Sequence, residues 1–318
     1  MRITTNEKPI KLIGLKSSEY EHPLDRESLD KLQGIPALPS LTKKLLEISY
    51  EKAIRIQYTG SNLRVTDKNL PKVYEILAKA CEILDISKVP DLFIQWDHSV
   101  NAFTTGVEKP FIVINSGCID LLEDQELLFI LGHELGHIKS GHVLYRTLAR
   151  LFPELVEQFS QLTLGRGGIA GTAVQATLMN WYRMSEFTAD RAGLLTCQDK
   201  KTCIKSMVKL AGLPSTYRYE DFEESFIQQA KEFINFDNDS LDQAVKFFST
   251  LTTSHPWTVL RAAEFLNWIE TGEYETILKK DRNETSSAQY TGRYCLKCGE
   301  KISKTDSFCG LCGAKLKT

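Results

Sequence analysis

The sequence from Leu127 to Ser140 reads LLFILGHELGHIKS and contains the strongest pattern in the chain. Apolar residues surround His133 and His137, which predicts a largely buried helix. Because histidines four positions apart lie on one face of a helix, their imidazoles can share one Zn²⁺ ion. A bound metal would also remove the cost of burying these polar groups without partners. Glu134 directly follows the first histidine, where its carboxylate can take a proton from water beside the metal.

A zinc site that keeps an open position for water needs a third protein ligand. A histidine six positions after His137 would fall at Val143, and His142 is one place off, so we reject this option. Glu186 and Asp190 offer another, because they are four positions apart on one face of a later predicted helix. One can bind the metal while the other accepts the free N–H of a ligand histidine. Spacing alone does not separate this interpretation from an ordinary solvated acidic face.

Predicted strands come early in the chain and predicted helices come late. Ile54–Thr59, Asp91–Trp96 and Pro110–Asn115 have the alternation or composition of strands, and Pro71–Ile86 predicts a helix that begins with proline. Further helices are predicted at 24–32, 41–53, 119–122, 126–140, 143–163, 170–196, 202–212, 219–234, 240–250 and 257–270. This order favours an α+β domain over a parallel α/β sheet.

The composition indicates a globular chain with its own core. Of 318 residues, 42% are hydrophobic, and a net charge of −2 gives no sign of a nucleic-acid partner. No apolar signal peptide follows Met1, and the longest apolar stretch, from Gly167 to Tyr182, is too short for a spanning helix. We therefore expect no transmembrane span, while peripheral contact with a membrane stays open.

The eight cysteines fall into two groups with different predicted chemistry. Cys81, Cys118, Cys197 and Cys203 are scattered among apolar residues, which indicates reduced thiols and a cytoplasmic protein, with a Cys197–Cys203 disulfide as the alternative. The other four form two C-x-x-C pairs, each followed by glycine, and are Cys295, Cys298, Cys309 and Cys312. Four thiolates complete a tetrahedron, so this pattern predicts a structural zinc ribbon, with a redox dithiol pair as the alternative.

Four segments in matching order resemble the HtpX and CAAX prenyl protease family of zinc metallopeptidases. They are Asn101-Ala102-Phe103, His133-Glu134-Leu135-Gly136-His137-Ile138, Glu186-Phe187-Thr188-Ala189-Asp190, and Ser254-His255-Pro256 with Arg261. The resemblance covers residues 70–270. Membrane members of the family carry spanning helices. In this chain, the region between the two zinc-binding segments is amphipathic and charged, with Arg146, Arg150, Glu154, Glu157 and Arg166. A soluble processing or quality-control peptidase is therefore expected.

The resemblance implies a role for each matching residue. Glu186 would be the third zinc ligand, and Asp190 would orient a ligand histidine. Residues Asn101–Phe103 would belong to an edge strand that aligns the substrate backbone. His255 would stabilise the oxyanion of the tetrahedral intermediate, with Arg261 nearby as support.

We expect an α+β, zincin-like metallopeptidase domain, mostly helical with a small sheet, and a C-terminal zinc ribbon. The predicted parts are an N-terminal extension (1–60), the peptidase domain (61–280), a polar linker (281–292) and the ribbon (293–318). The predicted function is a zinc-dependent endopeptidase for peptide or protein substrates, with Glu134 as general base and one catalytic and one structural zinc. The alternatives are a non-catalytic adaptor that recruits a protein partner through the ribbon, and a latent peptidase whose residues 1–50 cover the cleft. We expect no nucleic-acid partner.

Overall fold

The structure is a computed structural model and describes residues 9–35, 38, 42, 50–162, 168–235 and 257–282. The helices are α1 (Pro23–Gln33), α2 (Tyr50–Ser61), α3 (Pro71–Ile83), α4 (Ser116–Leu121), α5 (Asp124–Lys139), α6 (Val143–Leu162), α7 (Gly168–Cys197), α8 (Lys200–Leu210), α9 (Glu223–Asn235), α10 (Thr258–Glu270) and α11 (Glu273–Lys279). The strands are β1 (Leu63–Arg64), β2 (Leu92–Gln95), β3 (Ala102–Thr105) and β4 (Phe111–Asn115). The predicted mostly helical α+β architecture is confirmed.

The predicted strand Ile54–Thr59 is wrong, because these residues lie within helix α2. Ile54 and Tyr58, one helical turn apart, both pack on the aromatic face of the sheet. Ile56, which completed the apparent alternation, is 64% exposed. The strand-like alternation of apolar residues therefore depended on Ile56, whose side chain faces solvent. Of the predicted helix at 41–53, residues 42 and 50–53 are described and are helical, and the helix predicted at 240–250 lies outside the described residues.

The sheet has the order β1-β2-β4-β3, so β3 forms one edge. β2 and β4 are parallel, whereas β3 and β4 are antiparallel. Successive side chains of β4 point to opposite faces, as strand geometry requires. Phe111 and Val113 pack toward α2, while Ile112 and Ile114 join the main core, which also contains residues of α3, α5 and α7. The edge strand is thus held beside the histidine-bearing helix α5.

Two glycines allow α5 to approach α7 closely. A Cβ atom at Gly136 would lie 2.6 Å from the Cβ atom of Ala192, and one at Gly132 would collide with Thr196. Because real side chains cannot approach so closely, glycine at these positions permits the contact between the two helices. This contact brings the acidic residues of α7 opposite the histidines of α5.

The N-terminal segment is part of the same core. Leu12, Leu15 and Tyr20 are buried in the main hydrophobic cluster, and helix α1 packs along α7. The predicted domain boundary at residue 60 stays a prediction, and residues 283–292 of the predicted linker lie outside the described residues. None of the helices in the described ranges combines the length and the apolar character that a membrane span requires.

Candidate metal centre

Three predicted ligands meet between α5 and α7. Their donor atoms, one each from His133, His137 and Glu186, all lie within 4.8 Å of one another, and the three residues are buried. His133 Nε2 lies 3.4 Å from Glu186 Oε2, and His137 Nε2 lies 3.4 Å from Glu186 Oε1. Both imidazoles thus direct the same nitrogen toward one carboxylate.

The donor set fits zinc. His137 Nε2 is buried and makes no hydrogen bond to any described residue. Such an orphaned nitrogen is costly unless its lone pair binds something. Two imidazole nitrogens and one carboxylate are a ligand set of catalytic zinc sites, which keep a fourth position for water or substrate. The residues present could therefore hold a zinc ion.

The two histidines have opposite electrostatic environments. Burial disfavours a charged imidazole at His133, but hydrogen bonds and charges of Asp190 and Glu186 outweigh it and raise the pKa of His133 to about 9. Burial, together with the charge of Arg146, holds the pKa of His137 well below its ordinary value of 6.5. Without a metal, His133 therefore binds a proton near neutral pH, whereas His137 is neutral.

Asp190 supports His133 directly. His133 Nδ1 lies 2.9 Å from Asp190 Oδ1, on the ring edge opposite Nε2. Arg261 donates two hydrogen bonds to the same carboxylate, with Nε 2.8 Å from Oδ2 and Nη2 2.6 Å from Oδ1. Burial alone would raise the pKa of Asp190, but Arg261 and His133 together outweigh burial and lower it. The structure thus brings together three residues that the sequence singled out.

His137 has a longer support that the sequence analysis missed. His137 Nδ1 lies 3.0 Å from His142 Nδ1, and His142 Nε2 lies 3.1 Å from Asp25 Oδ2. Thr188 Oγ1 donates to the same carboxylate oxygen at 2.5 Å. Burial alone would raise the pKa of Asp25, but His142 and the hydrogen bonds outweigh it and lower the value.

Two arginines flank Glu186. Arg146 Nη1 lies 2.5 Å from Glu186 Oε1, and Arg261 Nη1 lies 3.8 Å from Oε2. The Arg146 guanidinium also lies over the ring of Tyr182, 3.8 Å from its centroid. The predicted third ligand is therefore fixed in position by positive charge on both oxygens.

Glu134 faces a cavity beside the ligand group. This cavity has a volume of about 220 Å³ and is also lined by Asn101, Ala102 and Arg261. The Thr104 hydroxyl lies 2.7 Å from Glu134 Oε2, so it holds the carboxylate that the sequence analysis identified as a base. Apolar residues complete much of the wall, including Val100, Ile130 and Leu210.

Of the predicted substrate strand, two residues line the cavity and one does not. The ring of Phe103 packs near Tyr58 on the other face of the sheet, so of the predicted substrate strand only Asn101 and Ala102 reach the cavity. His255 and the ribbon cysteines (Cys295, Cys298, Cys309 and Cys312) lie outside the described residues.

The alternative disulfide is not formed in the structure. Cys197 and Cys203 are free thiols whose sulfur atoms lie 3.3 Å apart, too far for a covalent bond. Cys81 and Cys118 are also free and buried.

The sequence analysis did not identify four residues of the site, and the sequence indicates them to different degrees. His142 could have been found, because it is a third histidine close to the motif, but it was considered only as a metal ligand. Arg146 and Thr104 lie near the motifs, yet nothing in their local pattern indicates burial beside the site. Asp25 lies 163 positions from Thr188 and gave no local signal.

Comparison with protein families gives two matches. The model described as Peptidase family M48 matches residues 67–269. The model described as a zinc-ribbon domain matches residues 294–316. The predicted HtpX-like recognition and the predicted ribbon are both confirmed at this level.

Curated relatives include metallopeptidases from a plant, an archaeon and a bacterium. The chain is 32% identical over 289 residues to the plastoglobule-localized metallopeptidase 48, chloroplastic, of Arabidopsis thaliana, a match over 88% of this chain and 80% of the relative. It is 24% identical over 198 residues to protease HtpX homolog 2 of Methanosarcina acetivorans, over 55% and 67%. It is 29% identical over 127 residues to a protease HtpX homolog of Pelotomaculum thermopropionicum, over 39% and 44%. No solved structure gives a significant match.

Proposed function

The chain belongs to peptidase family M48, an HtpX-like family of zinc metallopeptidases, and from this premise we propose that it cleaves internal peptide bonds with Glu134 as general base. The buried group of His133, His137 and Glu186, with Glu134 facing the adjoining cavity, carries this proposal. The three would be the zinc ligands. Zinc, when bound, supplies a Lewis acid that makes water nucleophilic near neutral pH and polarises the scissile carbonyl.

Glu134 would move the protons of the reaction. Its carboxylate would accept one from the attacking water and return it to the leaving amine, while Thr104 keeps the carboxylate in place through Oε2. Asp190 would fix the tautomer and orientation of His133, with Arg261 holding Asp190. His255 remains our proposed stabiliser of the oxyanion, with Arg261 as support.

The edge strand supports an extended substrate. Asn115 N–H donates to the carbonyl of Asn101, so Asn101 faces β4. Since backbone groups alternate along an antiparallel strand, those of Ala102 point away from β4, beside the cavity that Ala102 lines. Arg150 Nη2 donates to the outward carbonyl of Thr104 at 2.6 Å and so covers the next position. A peptide pairing at Ala102 would cross the cavity in extended form, which suits an internal bond.

The experiment is digestion of a mixed peptide library by the purified protein beside Glu134→Gln, read by mass spectrometry. We expect internal cleavage by the natural chain and none by the variant, with zinc bound to both. Full activity of Glu134→Gln would contradict the assigned base. Release of terminal residues alone would contradict an endopeptidase.

We also propose that the ribbon binds a second, structural zinc through its four cysteines and offers a surface to a protein partner. The family match over residues 294–316 supports the metal site. Metal analysis should then give about two zinc ions per chain, since each site holds one. One zinc per chain would contradict this count.

The adaptor and the latent peptidase remain the alternative functions. Thr104 holds the Glu134 carboxylate in place. This argues against the non-catalytic adaptor, because an adaptor does not need a base beside the metal. Helix α1 packs along α7, and the lining of the cavity includes no residue of the described segment 9–35. This argues against occlusion by that segment.

We retain a cytoplasmic location as a proposal, tested by fractionation of cells that produce the chain. The Arabidopsis relative is named for plastoglobules, so peripheral contact with lipid is the alternative. Recovery in the lipid or membrane fraction would favour that alternative.

A further inference from the structure

Helix α1 lies outside the residues that match the peptidase family, yet it contributes a buried carboxylate near the metal centre. The family match begins at residue 67, whereas α1 spans Pro23–Gln33. Asp25, on its first turn, is 0% exposed. A carboxylate is rarely buried to this extent without a specific partner.

The placement of Asp25 is specified by several contacts between α1 and α7. The His22 backbone N–H donates to Thr188 Oγ1 at 3.0 Å, and that hydroxyl in turn donates to Asp25. The ring of His22 packs against Phe187, with 4.9 Å between centroids. Thr188 and Phe187 directly follow Glu186 in the sequence. The N-terminal helix is therefore anchored to the segment that carries the third ligand.

The hydrogen bonds fix where the protons lie once the centre holds a metal. His137 can bind through Nε2 only if its proton is on Nδ1, which then donates to His142 Nδ1. His142 must then be protonated on Nε2, which donates to Asp25. Each donor has one acceptor, and the series ends on a carboxylate. Ligand histidines are commonly supported in this way by a carboxylate acting on the second nitrogen.

We propose that Asp25 is a positioning residue of the metal centre, acting through His142 to fix the orientation and tautomer of His137. The proposal rests on the proposed ligand set. Under this proposal, the N-terminal segment helps to position a metal ligand. Loss of outer partners of this kind typically weakens metal binding about 10- to 100-fold.

The test compares Asp25→Asn with Asp30→Asn in the full-length chain. Asp30 lies on the same helix and is exposed, so it controls for the loss of one negative charge from that helix. Zinc affinity is measured by competition with a chromophoric chelator, and the bound site is monitored by its Co²⁺ absorption spectrum. A chain carrying His133→Ala and His137→Ala supplies the baseline from the ribbon. Circular dichroism in excess chelator shows whether each metal-free variant is folded.

We expect Asp25→Asn to bind zinc about tenfold or more weakly and to shift the Co²⁺ spectrum, while Asp30→Asn leaves both unchanged. In a His142→Gln background, Asp25→Asn should add no further loss, because its effect passes through His142. A folded Asp25→Asn with natural affinity and spectrum would overturn the proposal. An undiminished effect in the His142→Gln background would overturn the route through His142.

A measurement on the natural chain keeps the proposal testable if Asp25→Asn does not fold. The chain has 6 histidines, so ¹⁵N-histidine labelling gives few signals in the zinc-loaded protein. We expect the proton of His142 to lie on Nε2, and a proton on Nδ1 would overturn the proposal. If the natural chain binds no zinc at His133, His137 and Glu186, the proposed function itself fails. If it binds zinc and cleaves peptides while Asp25→Asn matches it, only the role of Asp25 fails.

Discussion

The two histidines of the candidate metal centre are supported in different ways. His133 bonds directly to Asp190, and a buried arginine grips that carboxylate with two hydrogen bonds. His137 reaches its carboxylate, Asp25, only through a second imidazole, that of His142. The first support comes from within the residues that match the family, and the second ends on a helix outside them. A candidate ligand can thus be oriented by direct contact with a residue inside the family match or by a segment outside it.

The difference has an electrostatic consequence. A carboxylate in direct contact helps to raise the pKa of His133 to about 9, so His133 must release a proton when a metal binds near neutral pH. Since His137 is buried and lies near Arg146, it is already neutral. The indirect support therefore orients its histidine without keeping it charged.

Deleting residues 1–35 should have the largest effect, because it removes the carboxylate at the end of the His137 support. The deletion removes Asp25 together with Leu12, Leu15 and Tyr20, which are buried in the main core. We expect loss of stable folding and of zinc binding at the centre, because each large core side chain contributes about 2–5 kcal/mol. Thermal unfolding and zinc affinity measure this. A folded, more active product would instead support the latent peptidase.

Asp190→Ala removes the carboxylate that directly contacts His133. It leaves Arg261 buried and without its principal partner, which costs about 3–5 kcal/mol in unfolding free energy. Zinc affinity should fall up to about 100-fold. Denaturant unfolding and chelator competition measure the two effects.

The control for this prediction is Arg261→Met alone and combined with Asp190→Ala. The pair should cost less than the sum of the single changes, because no unpaired charge remains. Additive losses would contradict the coupling of Asp190 with Arg261.

The pH dependence of zinc binding tests the difference in pKa between His133 and His137. In the metal-free fold, the raised pKa of His133 gives stability that is fully present below about pH 6.5 and lost as the pH rises through about 9. Zinc displaces that proton, so affinity at the centre should increase by up to about tenfold per pH unit across this window. Chelator competition at several pH values measures it, with the His133→Ala, His137→Ala chain as baseline. A flat profile would show that no proton is displaced from His133.

Thr104→Val should have the smallest effect, because it leaves both histidine supports intact. The variant removes the hydroxyl that lies 2.7 Å from Glu134 Oε2. We expect kcat to fall about fivefold, equivalent to ~1 kcal/mol for one hydrogen bond, with zinc affinity unchanged. Thr104→Ser should restore activity, and Thr105→Val, at the next buried position, serves as a matched control. Weaker zinc binding by Thr104→Val would show that the hydroxyl supports the ligands instead.

Much of the centre could be predicted because its signals are local or repeated in a family. The spacing of His133 and His137 shows that they share a helix face. Spacing also offered Glu186 and Asp190 as candidates, and the resemblance assigned a role to each. The order of strands and helices predicted the α+β class. The strand assigned to Ile54–Thr59 failed because Ile56 is an exposed apolar residue, which periodicity alone cannot distinguish from a buried one.

The parts that escaped prediction depend on tertiary packing. Arg146 has no motif of its own, and its pairing with Glu186 exists only after α6 and α7 come together. Asp25 meets His142 through the docking of α1 on α7. Residues that act through such contacts between distant segments carry no local pattern.

Anomalous diffraction at the zinc absorption edge, from crystals of the full-length chain, shows directly which residues bind the metal. We expect a peak at about 2.0–2.2 Å from His133 Nε2, His137 Nε2 and a Glu186 oxygen, with Glu134 beside it and not bound to it. A zinc-loaded crystal with no peak between these three residues, or with Glu134 as a ligand in place of Glu186, would contradict it.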